Sequence, residues 1–285
     1  MSISDHTRPI SIEGVPFGPM LVEERRRRLV EHVQRRGVVA IAEMSELLGA
    51  SQVTVRRDLR AVAAQGLVVR AHGGALAPRG GWTREPSYAE KATKAAAEKV
   101  AIARIARRLI TRGQSVILGP GTTTLALAQL LGGIPDLTVV TNSLLVAEAL
   151  MSETQVEALL TGGQLRREIH ALVGPATEDA VRHLCVSTTF ISGNGLTVAR
   201  GLSTPNPLVA ATDRALVAAA ERVIVLADHT KVGIETMCQT VPLDHIGVLV
   251  TDAAADLQQI EAMRELGVEV IVGDPMPSPS DVAPA

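Results

Sequence analysis

The chain has 285 residues, 46% of them apolar but only 1% aromatic, with a net charge of −2. That length suits one large domain or two ordinary ones, with a core of Ala, Val, Leu and Ile rather than rings. No apolar run reaches membrane length and no secretory signal is evident, so a soluble cytoplasmic protein is expected.

Residues 1–77 carry 11 Lys+Arg, all arginine, against 8 Asp+Glu, whereas the remainder carries 17 against 22. A basic module on an acidic body points to a nucleic-acid partner for the first part only. Residues 1–19 contain three prolines and two glycines without periodicity and read as a disordered arm. A first helix is predicted over 21–36, stopped by Gly37. Its run Arg25, Arg26, Arg27, Arg28 either touches phosphate or forms a solvated basic face. A second helix covers 41–48 and breaks at Gly49 and Ala50.

Then comes SQVTVRRDLR, residues 51–60. Val55, Leu59 and Val62 fall at i, i+4 and i+7, an apolar stripe at helical spacing. Ser51 is placed to cap the first turn. Arg56, Arg57 and Arg60 project from the other sides. Helix, short Gly-containing turn, and a helix with basic residues near its start form a helix-turn-helix, whose second helix, 52–65, enters the major groove. Gln52 and Thr54 are expected to face bases, and Arg57 and Arg60 phosphate. Arg56 and Arg57 have both within reach. After Gly66, residues 67–70 are β-prone, His72, Gly73 and Gly74 make a turn, and 75–77 return as a second short strand. This hairpin makes a wing. Arg70 and His72 are placed to reach phosphate or the minor groove, though His72 also reads simply as a turn residue. The winged helix spans 20–77. Residues 78–87, which include PRGGWTREP and the only tryptophan, Trp82, read as a linker.

From 88 onward the pattern changes. A helix over 89–111 ends near Gly113. β-prone apolar runs follow at 115–118, 137–140, 156–160, 188–192, 223–227, 246–250 and 268–272. Helical stretches at 123–131, 143–151, 176–184, 207–220 and 256–266 alternate with them. Several runs are rich in Val, Ile and Leu without alternation, as strands covered on both faces are. This order predicts an α/β domain over 88–273 with a mainly parallel sheet between layers of helices. Residues 274–285 read as a disordered tail. Cys185 and Cys238 lie far apart with no metal spacing and read as small buried hydrophobes.

In open α/β sheets, ligands sit beyond the carboxyl ends of the strands. Small and polar residues collect there in five loops: GPGTTT over 119–124; Thr141, Asn142 and Ser143; Thr161, Gly162 and Gly163; Gly193, Asn194 and Gly195; and DHTKVG over 228–233. One such loop alone is a helix N-cap, but five at one edge make a pocket. The first two suit an anion, because helix N-termini offer unpaired N–H groups and partial positive charge. Gly121 permits close backbone approach, Thr122, Thr123 and Thr124 add hydroxyls, and Lys231 supplies a formal charge. The P-loop pattern GxxxxGK[ST] is absent.

Residues 24–77 resemble the DNA-binding domain of the DeoR family of bacterial repressors. TVRRDL followed by QGLVVRAHGGA matches that family's recognition helix and wing at the correct spacing. Residues 88–252 resemble the family's C-terminal sensor domain in GTTTLALA, VVTNSLLVAEAL, TGGQLR, LVGPATEDA, GLSTPN and VIVLADHTKVG. The resemblance implies a domain related in fold to ribose-5-phosphate isomerase, with a phosphorylated sugar or sugar derivative as effector. It implies that Gly121, Thr122, Thr123, Thr124, Thr141, Asn142, Ser143 and Lys231 line the pocket, with phosphate at the threonine loop; Gly162 and Asn194 complete the expected set. Two departures alter the sugar end. Where family members commonly carry Asp, this chain has Gly119 and Asn194, so carboxylates that would accept from sugar hydroxyls are replaced by no side chain and by a neutral amide.

A sugar-phosphate isomerase with an attached DNA-binding module is the rival reading. Isomerisation needs a base beside a carbonyl, and Gly119 and Asn194 supply none. Asp228 remains at a strand end, and His229 beside it is a lone loop histidine. No Ser–His–Asp grouping or metal spacing is evident, so no catalytic role, metal or cofactor is expected. A third reading gives the second domain a role in oligomerisation alone. The reading adopted is a transcriptional repressor of a carbohydrate-metabolism operon, relieved by a phosphorylated sugar. It would bind double-stranded operator DNA as a homo-oligomer, dimer or tetramer, over repeated half-sites.

Overall fold

The computed structural model describes residues 21–64, 67–71, 73–76 and 83–273. The expected arm, His72, Trp82 with the first half of the linker, and the expected tail lie outside the described residues. The chain divides into two compact units between positions 79 and 80.

The first unit runs α1 (Val22–Arg36), β1 (Val38–Ala40), α2 (Ile41–Leu48), α3 (Gln52–Ala64), β2 (Val69–Ala71) and β3 (Gly74–Leu76). The glycine stops act as expected: α1 ends at Gly37 and α2 at Gly49, both with positive φ. Strand β1 was not expected, because three residues between two helices carry no readable period. It pairs antiparallel with β3, which pairs with β2, in the order β1-β3-β2. Position 74 must be glycine, since a Cβ there would lie 2.3 Å from the Val39 carbonyl oxygen. The core joins Leu29 and Val33 of α1, Met44 and Leu48 of α2, and Val55, Leu59 and Val62 of α3. Burial of each such side chain contributes about 1.5–3 kcal/mol.

The second unit opens with α4 (Tyr88–Ala92), α5 (Ala96–Arg108), β4 (Ser115–Leu118), α6 (Thr122–Ala128), β5 (Leu137–Thr141), α7 (Leu144–Leu150) and β6 (Val156–Leu160). It continues through β7 (Gln164–Arg166), β8 (Ala171–Val173), α8 (Pro175–Val181), β9 (Val186–Ile191), β10 (Gly195–Thr197), β11 (Gly201–Thr204) and α9 (Pro207–Ala218). It closes with β12 (Ala220–Leu226), β13 (Cys238–Val241), β14 (Val248–Asp252), α10 (Leu257–Glu265) and β15 (Glu269–Gly273). The seven expected strands form one sheet of order β15-β14-β12-β9-β4-β5-β6 with every pairing parallel. Val116, Leu118 and Val139 pack with Ile102, Leu127 and Val146 on one face, while Ile117 and Val140 pack with Val181 and Leu216 on the other. From β4 the chain steps outward to β5 and β6; it then returns to the other side of β4 and steps outward through β12, β14 and β15. The direction reverses between β4 and β9, and there a crevice opens.

Three expectations are corrected. The helix over 89–111 is two helices, because Ala95 takes a left-handed conformation (φ 49°). The freed carbonyls of Lys91 and Lys94 accept hydrogen bonds from the Lys99 ammonium. Five short strands went unread: β7 pairs with β8, and β10, β11 and β13 form an antiparallel sheet. Runs of three or four residues are too short to show alternation. Cys185 is exposed rather than buried, because it sits in the loop before β9, and Cys238 is half-buried; both are free.

Candidate functional site

In the first unit, Ser51 Oγ accepts a hydrogen bond from the Thr54 N–H at 3.2 Å and lies 2.9 Å from Thr54 Oγ1. The cap forms as expected, and it engages the Thr54 hydroxyl. Gln52, Arg56, Arg57, Arg60 and Arg70 are exposed. Arg56 and Arg70 flank one groove between α3 and the β2–β3 wing, with Ile41, Leu59, Ala71, Gly73 and Gly74. The arginines of α1 are differently employed. Arg25 Nε donates to Asp58 Oδ2 at 2.6 Å and Arg26 Nε to Asp58 Oδ1 at 3.0 Å. Arg27 and Arg28 pair with Glu24 on their own helix. Asp58 is only 2% exposed. Sequence reasoning passed over it, although a carboxylate three residues after Val55, inside the apolar stripe, was the available signal.

In the second unit, a cleft lies beyond the ends of β4, β9 and β12. Five of the expected residues line it: Gly121, Thr122, Thr123, Asn194 and Lys231. Gly121 lets α6 start close against the end of β9, since a Cβ there would lie 2.2 Å from Ser192 Oγ. No side chain caps α6, so its first N–H groups are left for other partners.

The other expected residues do not line the cleft. Thr124 Oγ1 donates to the Gly121 carbonyl at 3.1 Å. Thr141 Oγ1 donates to the Leu118 carbonyl at 2.7 Å and accepts from the Ser143 N–H. Asn142 Nδ2 donates to the Leu172 carbonyl at 2.8 Å. Ser143 caps α7 by accepting from the Val146 N–H, and the Gly162 carbonyl accepts from Thr177 Oγ1 at 2.7 Å. Of the five expected loops, only those after β4, β9 and β12 converge, because β5 and β6 lie outward of the β4–β9 reversal. Gly119 is also off the cleft, and a Cβ there would meet Ile191 at 3.4 Å.

The cleft holds more charge than its loops suggested. Lys91 of α4, Lys99 of α5 and Asp213 of α9 line it, with Glu85, Tyr88 and Asp228. Lys99 is 4% exposed, and its Nζ lies 3.9 Å from Asp228 Oδ2. Asp228 Oδ1 accepts from the N–H and hydroxyl of Thr230. Burial lowers the Lys91 ammonium to about 8; Glu85 opposes the shift and Lys231 reinforces it. Burial also lowers Lys99 and Lys231, with Asp228 opposing in both. Asp213 is 3% exposed, and burial raises its carboxyl to about 7 against the pull of Lys91. Both helix residues stood in the sequence as charges within apolar stripes. Lys99 leads Ile102, Ala103 and Ala106, while Asp213 sits among Val209, Ala210 and Leu216.

Residues 25–79 match the family model of the DeoR-like helix-turn-helix domain, and residues 94–253 match that of the DeoR C terminal sensor domain. The chain belongs to the DeoR family. As a DeoR-family chain it is a transcriptional regulator and not an enzyme, as its relatives' names agree. It is 37% identical to the HTH-type transcriptional regulator GlpR of Haloferax volcanii over 89% of this chain and 99% of that protein. It is 36% identical to the HTH-type transcriptional regulator YgbI of Escherichia coli K12, over 82% and 91%. It is 32% identical to the transcriptional repressor AccR of Agrobacterium fabrum, over 81% and 90%. Among solved structures it is similar to ribose 5-phosphate isomerase A of Methanocaldococcus jannaschii, 15% identical over 47% of this chain and 53% of that one, with a TM-score of 0.36. Among the described residues, no helix is long and apolar enough to cross a membrane, and no His, Cys, Asp or Glu grouping could hold a metal.

Proposed function

We propose that this DeoR-family regulator represses a carbohydrate-metabolism operon and is relieved by a phosphorylated sugar bound in the cleft beyond β4, β9 and β12. The observation that carries the reading is the convergence of Lys91, Lys99 and Lys231 on the one cleft that Thr122 and Thr123 also line. Lys91 and Lys231, withdrawn from bulk water, favour an anion, while Lys99 is held by Asp228 and two carbonyls; a phosphate dianion uses the charge of the first two and the nearby N–H and hydroxyl donors. On the other unit, the exposed Gln52, Arg56, Arg57, Arg60 and Arg70 suit double-stranded operator DNA, with Gln52 toward bases and Arg57 and Arg60 toward phosphate. The name of the relative AccR, a repressor, supports the sign. The regulator acts in the cytoplasm as a homo-oligomer that holds paired winged helices over repeated half-sites.

A ligand shifts DNA binding only through different affinity for the DNA-competent and DNA-free states. Couplings of about 1–3 kcal/mol, roughly 5–150-fold in affinity, are typical, and operator DNA then weakens effector binding by the same factor. The test begins with a thermal-shift screen of phosphorylated sugars, since a ligand of the native state raises the melting temperature. Operator is then titrated against wild type and Lys231→Ala, with and without the compound found. Lys231→Ala is expected to bind operator normally and to respond poorly. Equal response in both proteins removes Lys231 as the phosphate partner, and tighter DNA binding with effector reverses the sign.

A further inference from the structure

Strand β6 ends the seven-stranded sheet and pairs only with β5. Among the described residues, no backbone hydrogen bond outside that ladder reaches residues 157–160. Glu157, Ala158, Leu159 and Leu160 are all exposed. Successive side chains point to opposite faces, so Leu159 and Leu160, at 40% and 47% exposure, leave apolar surface bare on both faces of the strand. Met151, just before β6 in the chain, and Leu165, just after it, are exposed as well. Edge strands are ordinarily guarded by charge, proline, a bulge or a covering element, because their free N–H and C=O groups pair with any strand that meets them. At the opposite edge, β15 carries Glu269, held by Arg222. The β6 run VEALL carries one charge, Glu157, and neither lysine nor proline.

Resting on the reading of the regulator as a homo-oligomer, we infer that β6 is a subunit interface, and that it pairs antiparallel with β6 of a second copy about a two-fold axis at Leu159. The backbone fixes which groups are on offer. The Thr161 N–H donates to the Thr141 carbonyl at 3.1 Å, so residues 157, 159 and 161 turn their backbone groups toward β5, while Ala158 and Leu160 turn theirs outward. Such alternate N–H and C=O groups are matched by another strand. A two-fold axis further requires that one patch fit itself, and this one does. With the axis at Leu159, Ala158 exchanges both backbone bonds with the partner subunit's Leu160. Leu159 faces the partner's Leu159, and Glu157 faces the partner's Thr161. Apolar meets apolar, and the one charge meets a hydroxyl rather than its own copy, since like charges directly opposite destabilise a pair of strands. An axis at Ala158 instead would set Glu157 against the partner's Leu159. An axis at Leu160 would set Leu159 against the partner's Thr161.

The test measures the mass of the full chain in solution by light scattering and then cross-links it. Wild type is expected to run as an oligomer. Leu159→Lys brings two ammonium groups face to face at the axis and is expected to run at half that mass, with an unchanged circular dichroism spectrum. Leu159→Cys is expected to form an intermolecular disulfide on mild oxidation, since a non-hydrogen-bonded antiparallel pair sets its Cα atoms about 4.5 Å apart, within disulfide reach. Glu157→Cys is expected to stay unbridged, because its two copies are offset along the strands by about 13 Å. Peptide mass spectrometry identifies the bridge and separates it from any made through the native Cys185 and Cys238, which are free. A monomeric wild type removes the homo-oligomer reading, and this inference with it. An oligomer that keeps its mass in Leu159→Lys, or stays unbridged in Leu159→Cys, preserves that reading and overturns this inference; the edge then belongs to a partner of another kind. Bridging of Glu157→Cys as readily as Leu159→Cys overturns the register. Should Leu159→Lys misfold, the two cysteine variants decide alone.

Discussion

The carboxylate of Glu85 and the guanidinium of Arg166 meet at 2.6 Å across 81 positions of sequence. Glu85 lies three residues before α4 and lines the cleft, while Arg166 ends β7. At the start of α4, the Tyr88 ring lies 5.2 Å from the His170 ring on the far side of the β7–β8 turn. The segment that enters the second unit is therefore both a wall of the cleft and clamped to a hairpin. A ligand touching Lys91 or Tyr88 bears on the segment that opens the second unit.

Breaking this clamp has two readable effects. Arg166→Ala leaves the Glu85 carboxylate without its partner and is expected to lower stability by about 1–3 kcal/mol in urea unfolding. Adding Glu85→Gln is expected to restore part of that loss, because no unpaired carboxylate remains. Operator affinity without effector should stay near wild type, while the effector response changes. An additive double mutant would show that the two residues do not interact energetically.

Asp58 anchors two arginines of α1 to α3, with side-chain exposures of 2% for Asp58 and 13% and 27% for Arg25 and Arg26. Asp58→Ala is expected to destabilise the DNA-binding unit by about 2–3 kcal/mol, since it removes the buried carboxylate that ties α1 to α3. Operator affinity falls with it. The thermal shift produced by a sugar-phosphate ligand should be unchanged, because that cleft belongs to the other unit. Circular dichroism melts with and without ligand check both statements.

Arg56, Arg57, Arg60 and Arg70 differ in what their loss should look like. An arginine on phosphate, expected for Arg57 and Arg60, lowers affinity uniformly across sequences and reduces the salt slope by roughly one unit per residue. An arginine that reads a guanine costs about 1–3 kcal/mol and relaxes preference at one base pair. Arg56, beside the groove it shares with Arg70, is the candidate for the second pattern. Operator binding of each alanine variant over a series of salt concentrations and base changes separates the two. Unchanged affinity in Arg56→Ala and Arg57→Ala would remove α3 as the recognition helix.

Effector affinity should have a bell-shaped pH dependence. Asp213 titrates near 7, raised by burial and restrained by Lys91 and Arg214, with Glu85 adding to the rise. Lys91 titrates near 8, lowered by burial, Lys231 and Lys99 and restrained by Glu85 and Asp213. Hydroxyl donors favour the ionised carboxylate, so affinity rises as pH passes 7; the phosphate needs the ammonium, so affinity falls as pH passes 8. Phosphate's own second ionisation, near about 6, adds a rise common to every variant. Asp213→Asn is expected to lose the limb at 7 and keep the others. The stability of the ligand-free protein carries the opposite sign. A carboxyl raised from 3.8 to about 7 in the folded state lowers stability as pH climbs through that window. The melting temperature of wild type relative to Asp213→Asn should therefore fall between pH 4 and pH 8.

The seven parallel strands, most of the helices between them and the helix-turn-helix were present in the sequence itself, because hydrophobic period and turn residues are local properties of the chain. So were Gly121, Thr122, Thr123, Asn194 and Lys231, which sit where strand meets loop. Tertiary structure alone decided which of five similar loops share a cleft. Strand order, not sequence order, sets which loops are neighbours, and it moved Thr141, Asn142, Ser143 and Gly162 away from the β4–β9 reversal. It also gave meaning to Asp58, Lys99 and Asp213. Each is a charge inside an apolar helical stripe, and a stripe says that a side chain is buried without saying what it faces. Asp58 faces two arginines, Lys99 two carbonyls and a carboxylate, and Asp213 an open cleft. A buried charge takes its role from its partners, and those partners lie 32 and 33 residues away for Asp58 and 129 for Lys99 and Asp228, beyond the reach of any local pattern.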